Sequence, residues 1–228
     1  LVNMVSNSGT NGLHGSVFEY FRNDRLNARN FFNAEKPAQQ RNQFGATAGG
    51  PIQKDKMFFF STFEGFRGRD ADSKRTIVPD LDTRRGLLRD AAGNLVPIRI
   101  DRKAFDAVMN LWALPTGPPI GDGSAEAIIA AKIRQRDDFG SVRIDLALTN
   151  NHTLFGRYTI NDGDSSLPRP SGTFQQQTTQ RTQWFTLQED WIVTPNLVNT
   201  ARAGVSRTLE RVTENPAPGT IIDPVIII

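Results

Sequence analysis

Few residues in this chain are equipped for chemistry. There are two histidines, His14 and His152, and no cysteine. A serine hydrolase needs a nucleophile held in a strained turn with a base in reach. No such motif accompanies either histidine, and both sit in turn-like contexts that read as structural. The chain is therefore not read as an enzyme, and no catalytic residue is assigned. Asn161-Asp162-Gly163-Asp164-Ser165 gathers oxygen ligands that would suit Ca²⁺ in an outside loop. It lacks the twelfth-position Glu of an EF-hand loop, so a solvated turn is the favoured reading. Without thiols there is no thiolate metal site, and no metal or cofactor is expected. Phe58-Phe59-Phe60 reads as wall or girdle rather than as an aromatic ligand platform. Over residues 102–114, Phe105, Val108, Met109 and Trp112 recur at helical spacing, a stripe that packs down on its own protein. No Gly-rich phosphate loop sits between a strand and a helix. No residue is singled out as substrate-binding.

The elements that must position these residues are strands. The 27 basic and 24 acidic residues are interspersed, so the basic stripe of a nucleic-acid partner is missing. No apolar run of about 18 residues provides a membrane helix, although the alternating strands of a barrel escape that test. The first residues, Leu1-Val2-Asn3-Met4-Val5, already read as strand, and Pro224-Val225-Ile226-Ile227-Ile228 closes the sequence as an apolar run. Both ends give the chain the look of an excerpt.

Residues 138–148 alternate Val142, Ile144, Leu146 and Leu148 with Ser141, Arg143, Asp145 and Ala147. After the Asn-rich turn at 149–152, residues 153–161 alternate Leu154, Gly156, Tyr158 and Ile160 with Phe155, Arg157 and Thr159. Two period-2 runs around a tight turn make a hairpin. A second hairpin pairs 182–193 with 197–207 through Thr194-Pro195-Asn196; Phe185, Leu187, Trp191 and Val193 share one face, on which Glu189 is an exception. Earlier strands are expected at 15–22, 43–50 and 57–67. The remaining connections, 23–42, 68–136, 162–181 and 209–223, are polar and read as long loops.

Short turns thus alternate with long loops, and a bacterial outer-membrane barrel couples loop length to strand parity in that way. The strands reach the roughly 9–11 residues that a tilted membrane strand needs. In such a wall Arg143, Asp145, Arg157, Gln188, Asp190 and Arg202 would point to the lumen, and Tyr158, Trp184 and Trp191 would suit the interfacial girdles. Alternation alone leaves a second architecture open: a secreted β-sandwich adhesion or carbohydrate-binding module.

Several motifs add what spacing cannot. The stretch from Val2 to Ser16, with Ser8-Gly9-Thr10-Asn11 and His14-Gly15-Ser16, resembles the plug-to-barrel junction of TonB-dependent receptors. Phe18-Glu19-Tyr20-Phe21-Arg22-Asn23-Asp24, Asn42-Gln43-Phe44-Gly45-Ala46-Thr47 and Lys54-Asp55-Lys56-Met57-Phe58-Phe59-Phe60 resemble the Oar-like subgroup. So do Val142-Arg143-Ile144-Asp145, His152-Thr153-Leu154-Phe155-Gly156-Arg157-Tyr158 and Thr194-Pro195-Asn196-Leu197-Val198-Asn199. The resemblance implies an all-β fold: an antiparallel meander forming part of a transmembrane β-barrel, with long loops and one short helix. Residues 1–14 would be the C-terminal end of a plug domain and 15–228 the N-terminal portion of a barrel of about 22 strands. The implied function is energised passage of an unidentified substrate across the outer membrane of a Gram-negative-type bacterium. The implied partners are outer-membrane lipid, the chain's own plug in the lumen, and a TonB complex reached through an N-terminal part outside this sequence.

Overall fold

The computed structural model describes residues 7–29, 36–169 and 171–216. In chain order the elements are β1 (His14–Asn23), β2 (Gln39–Gln53), β3 (Met57–Pro79), α1 (Leu81–Arg84), β4 (Leu87–Arg89), β5 (Leu95–Pro97), α2 (Arg102–Met109), β6 (Ser124–Thr149), β7 (His152–Pro168), β8 (Phe174–Thr194) and β9 (Leu197–Pro216). A 3₁₀ turn, Asp24–Leu26, follows β1. Seven strands form one antiparallel sheet in the order β1-β2-β3-β6-β7-β8-β9, and β4 pairs only with β5. Every neighbour in the large sheet is the next long strand along the chain. The two packed sheets of a β-sandwich are absent among the described residues, which removes that alternative.

All seven strands expected from alternation are present, and most are longer than expected. β3 has 23 residues, β6 has 26 and β8 has 21. The expected loop at 162–181 is therefore corrected: β7 and β8 run through it and leave only 169–173 as a connection. Asp162↔Arg181, Asp164↔Thr179 and Ser166↔Gln177 are paired in register there. The loop at 68–136 shrinks to 80–123, the loop at 23–42 to 24–38, and β9 occupies 209–216 of the last one. The strand readings at 1–5 and 224–228 lie outside the described residues.

Period 2 fixes the two faces. Val142, Ile144, Leu146 and Leu148 share the face of Leu154, Tyr158 and Ile160 on β7, and of Phe185, Leu187, Trp191 and Val193 on β8. Large apolar side chains remain open to the surroundings on this face, among them Val142, Phe185, Leu187 and Val205. On the opposite face a row of hydroxyls crosses the sheet, Ser16↔Thr47↔Thr62↔Ser141↔Thr159. Ser16–Thr47 and Ser141–Thr159 are hydrogen-bonded at 2.8 and 3.0 Å. Each short turn has a register irregularity beside it, at Pro51/Gln53, Ala147/Thr149 and Ile192/Thr194, which adds local twist where the strand reverses. Glycines admit neighbouring rings: a Cβ on Gly45 would lie 2.6 Å from the Phe18 ring, and one on Gly65 2.6 Å from the Phe44 ring.

The dry core sits away from the middle of the sheet. Val78, Ala125, Ala127 and Ile129 are buried, and by register they lie at the long-loop end of β3 and β6, on the polar face. Segment 80–123 folds over that side and covers them. Asp80 caps α1 by accepting from the Thr83 N–H at 2.7 Å, and Asp101 caps α2 by accepting from Ala104 at 3.1 Å. The helix expected at 102–114 is α2, one turn shorter, and α1 is a second helix that the sequence reading did not expect. The connection at 169–173 docks on the same segment, with the Ala113 N–H donating to the Ser171 carbonyl at 3.0 Å.

Between β4 and β5, the Asp90 carboxylate accepts from the N–H groups of Asn94 (2.8 Å) and Ala92 (2.9 Å). These bonds, the one from Asn94 foremost, hold its carboxyl below the usual range. A depressed folded-state pKa contributes stability above the unfolded pKa and loses it as pH falls through the folded value. Protection factors of the β4 and β5 amides, which allow for the slowing of intrinsic exchange by acid, should accordingly fall as pH drops below the ordinary carboxylate range, and Asp90→Asn should abolish that dependence. Unchanged pH dependence in the variant would exclude Asp90 as its source.

Candidate functional site: the two faces of the wall

On the apolar face, hydrophobic positions give way to charge along a line that crosses the strands. On β6 the sequence Leu148, Leu146, Ile144, Val142, Gly140 changes to Asp138, Arg136 and Arg134. On β7 Ile160 is followed by Asp162 and Asp164, on β8 Phe185 by Gln183 and Arg181, and on β9 Val205 by Arg207. The line lies on the long-loop side of the band. The band spans about nine residues of β6, β8 and β9, matching the roughly 9–11 residues of a tilted membrane strand.

Before β3 and β6 reach the dry core under segment 80–123, the strands are polar on both faces just past the line. There Arg67 reaches Asp138 at 2.7 Å, Arg136 reaches it at 2.6 Å, and Arg181 is paired with Asp162. The residues 161–165 expected to form a turn are thus strand, and their carboxylates serve as cross-strand partners. Asp162 holds Arg181, and Asp164 accepts from Gln177 at 3.1 Å. Among the described residues no group of three or more His, Cys, Asp or Glu could hold a metal ion.

The opposite face carries a polar network toward the short-turn end. Arg143 forms a bidentate pair with Asp145, at 2.6 and 2.9 Å, and lies 3.9 Å above the Phe155 ring. Asp190 accepts from Gln188 and Thr200, each at 2.7 Å, and Arg202 donates to Gln188 at 2.7 Å. With Arg157 these residues line a depression of about 410 Å³. Arg143, Asp145, Arg157, Gln188, Asp190 and Arg202, expected on the lumen side, therefore share one face and one basin. Their pairing, within β6 and β8 and between β8 and β9, makes a rigid, charged, wetted surface.

The aromatic readings divide. Tyr158 lies on the apolar face near the charge line, and its hydroxyl accepts from Gln183 at 2.5 Å. Trp191 lies on the same face at the short-turn end, stacked on His152 at 5.8 Å between ring centroids. Both fit girdle positions. Trp184 does not: it stands opposite Thr159 and Ser206, on the polar face. Phe58 and Phe60 face the polar side and Phe59 the apolar side, and Phe60 stacks on His14. Each histidine is the first residue of its strand. His152 Nε2 lies 2.5 Å from Glu189 Oε1. That pair, which the sequence reading missed, accounts for the acid on the apolar face of β8: Glu189 is next to the turn and has a partner there.

Before β1, Asn11 donates to the Asp55 carboxylate (2.5 Å) and accepts from the Asp55 N–H (2.9 Å). This latches the incoming segment to the β2–β3 turn, where Asp55 has φ 61°.

Comparison with known proteins agrees with this geometry. A family model described as "Outer membrane beta barrel domain" matches residues 5–223. The chain is 38% identical over 71 residues to the TonB-dependent transporter Oar of Myxococcus xanthus, a match that covers 28% of this chain and 7% of that protein. No solved structure matches.

Proposed function

The chain belongs to the outer membrane beta barrel domain family, and from that premise we propose that it is one sector of the barrel of a TonB-dependent receptor of the Oar-like kind. The apolar face contacts outer-membrane lipid, and the polar face lines a lumen occupied by the protein's own plug. Residues 1–14 are the end of that plug and 15–228 the first part of the barrel. The whole receptor moves a substrate inward with energy from a TonB complex, engaged through an N-terminal part outside this sequence.

The observation that carries the reading is the coupling of faces and ends. One face is apolar over a membrane's depth, the other is charged, and the three tightest turns, 54–56, 150–151 and 195–196, lie at one end. In outer-membrane barrels that end is periplasmic. Among the described residues the outer edges of β1 and β9 have no strand partner, which supports a larger barrel, because open edges do not occur within hydrocarbon. The Asn11–Asp55 latch supports entry of the plug's last residues at the periplasmic rim. The bridged segment 80–123, leaning over the polar side, supports a role in receiving substrate at the outer mouth.

The test is topological and energetic. In intact cells making the complete protein, a membrane-impermeant maleimide should label a cysteine placed at Asn94 and spare one placed at Asn150. The detergent-extracted protein should bind the periplasmic domain of TonB, and lose that binding when its N-terminal part is removed. Reversed labelling would overturn the orientation. Recovery of residues 7–216 as a soluble, cooperatively melting monomer would overturn the membrane wall itself.

A further inference from the structure

Just above the apolar band, the outward face carries an arrangement that isolated protein does not favour. Arg67 stands directly opposite Arg136, and Arg69 directly opposite Arg134, all on one face of β3 and β6. Like charges in direct cross-strand register destabilise a sheet. Asp138 neutralises the first pair by accepting from both Arg67 and Arg136. The second pair has no carboxylate partner among the described residues, and both its side chains are exposed. The four guanidinium groups border a depression of about 390 Å³ that also takes in Gln40, Asn42 and, beside Arg136, Asp164, whose carboxylate accepts from Gln177. Asn42 donates to Glu19 at 3.2 Å, while its Oδ1 is buried without a hydrogen-bond partner. Arg67 lies 5.7 Å from the centre of the Phe44 ring, the uppermost apolar side chain of the band on β2.

We propose that this depression is a binding site for a phosphorylated glycolipid of the outer leaflet. The proposal rests on the membrane orientation given above. The acyl chains lie against the apolar band around Phe44 and Phe63. A phosphate bridges Arg69 and Arg134, where its forked acceptors satisfy both guanidiniums and turn a repulsive pair into a clamp. Asn42 Oδ1 accepts from a sugar hydroxyl or amide held in place by the phosphate beside it. Charge complementarity, the position at headgroup height and the orphan acceptor select the same occupant.

The complete barrel in lipid-free detergent is compared with the double variant Arg69→Gln/Arg134→Gln. The probes are bis-phosphorylated lipid A, its dephosphorylated form and phosphatidylglycerol, read by native mass spectrometry and thermal melting. Each basic residue contributes about 1 kcal/mol at an anionic surface, so the variant should bind lipid A about 30-fold more weakly. In lipid-free detergent it should melt at the same temperature as the parent or higher, because the repulsion is gone; with lipid A the order should invert. The control Arg89→Gln/Lys103→Gln removes the same charge from segment 80–123 and should bind lipid A as the parent does. The dephosphorylated form should bind weakly to every version. Equal lipid A binding by parent and double variant, or phosphatidylglycerol binding as tight as lipid A, would overturn the site. If Gln variants fail to fold, Arg69→Lys/Arg134→Lys keeps the charge without the forks, and full lipid A affinity there would overturn the bridging geometry. Maleimide labelling of the same samples separates this failure from failure of the membrane reading: a correctly inserted barrel indifferent to lipid A sinks only the lipid site.

Discussion

Ile144→Arg is expected to deplete the folded barrel from the membrane, whereas Ser206→Arg leaves it in place. Ile144 lies in the middle of the apolar band of β6, opposite Phe59 on β3 and Gly156 on β7. A guanidinium at mid-depth on a lipid-facing wall costs about 2–4 kcal/mol, a large part of the stability of most folded proteins. No acid lies beside Ile144 on that face to offset the charge, since Glu189, nearer the turn, is engaged by His152. Ser206 is on the other face, opposite Trp184, where an arginine keeps its water and gains an aromatic neighbour. Folding into lipid vesicles, followed by the heat-dependent shift in gel mobility, measures both. Equal yields for the two variants would mean that the apolar face does not meet hydrocarbon.

The second large effect concerns Arg84. Its guanidinium donates to four backbone carbonyls: Pro79 at 3.2 Å, Met109 at 3.0 Å, Trp112 at 3.0 Å and Ala113 at 2.6 Å. It ties the end of β3 to the C-terminal end of α2, where helix carbonyls lack partners of their own. Burial lowers its pKa, though it remains a cation at any physiological pH. Arg84→Ala leaves these carbonyls to water or to nothing and should cost about 2–4 kcal/mol, local to segment 80–123. The expected result is at least tenfold faster tryptic cleavage at Arg99 or Arg102 in the folded barrel, with gel mobility of the barrel unchanged. Arg84→Lys, which lacks the planar fork, should fall between. Cleavage at the parental rate in Arg84→Ala would mean that the segment is held by its apolar contacts alone.

The sequence was readable where water and oil compete for one strand. Residues 138–148 and 153–161 alternate because one face of β6 and β7 is apolar and the other is not. Immediately beyond Asp138 and Ile160 both faces are wet, so the alternation that marks a strand disappears although the backbone ladder continues. This is why 162–181, rich in Ser, Pro and Gln, read as a loop and is strand. The lumen-facing group was legible for the same reason: Arg143, Asp145, Gln188, Asp190 and Arg202 fall on the polar parity of their strands. Trp184 shares that parity, yet residue type alone had suggested a girdle. The Arg69–Arg134 opposition was not legible, since it needs the register between β3 and β6 across the intervening segment. Nor was the Arg84 clamp, a contact of one side chain with carbonyls about thirty residues away in sequence. Glu189 was visible as an anomaly, and His152 explains it only once β7 and β8 are aligned.

The order of strands in the large sheet has a consequence for how such a wall is made. Each long strand pairs with its immediate successor, so an emerging hairpin always finds the previous one ready as a template. Assembly can then proceed like a zip, one hairpin at a time, with little entropy spent on bringing remote segments together. Segment 80–123 is the longest detour between partners. Its capped helices and clamped ends shorten the effective gap, so that β6 meets β3 almost as if the two were joined by a turn.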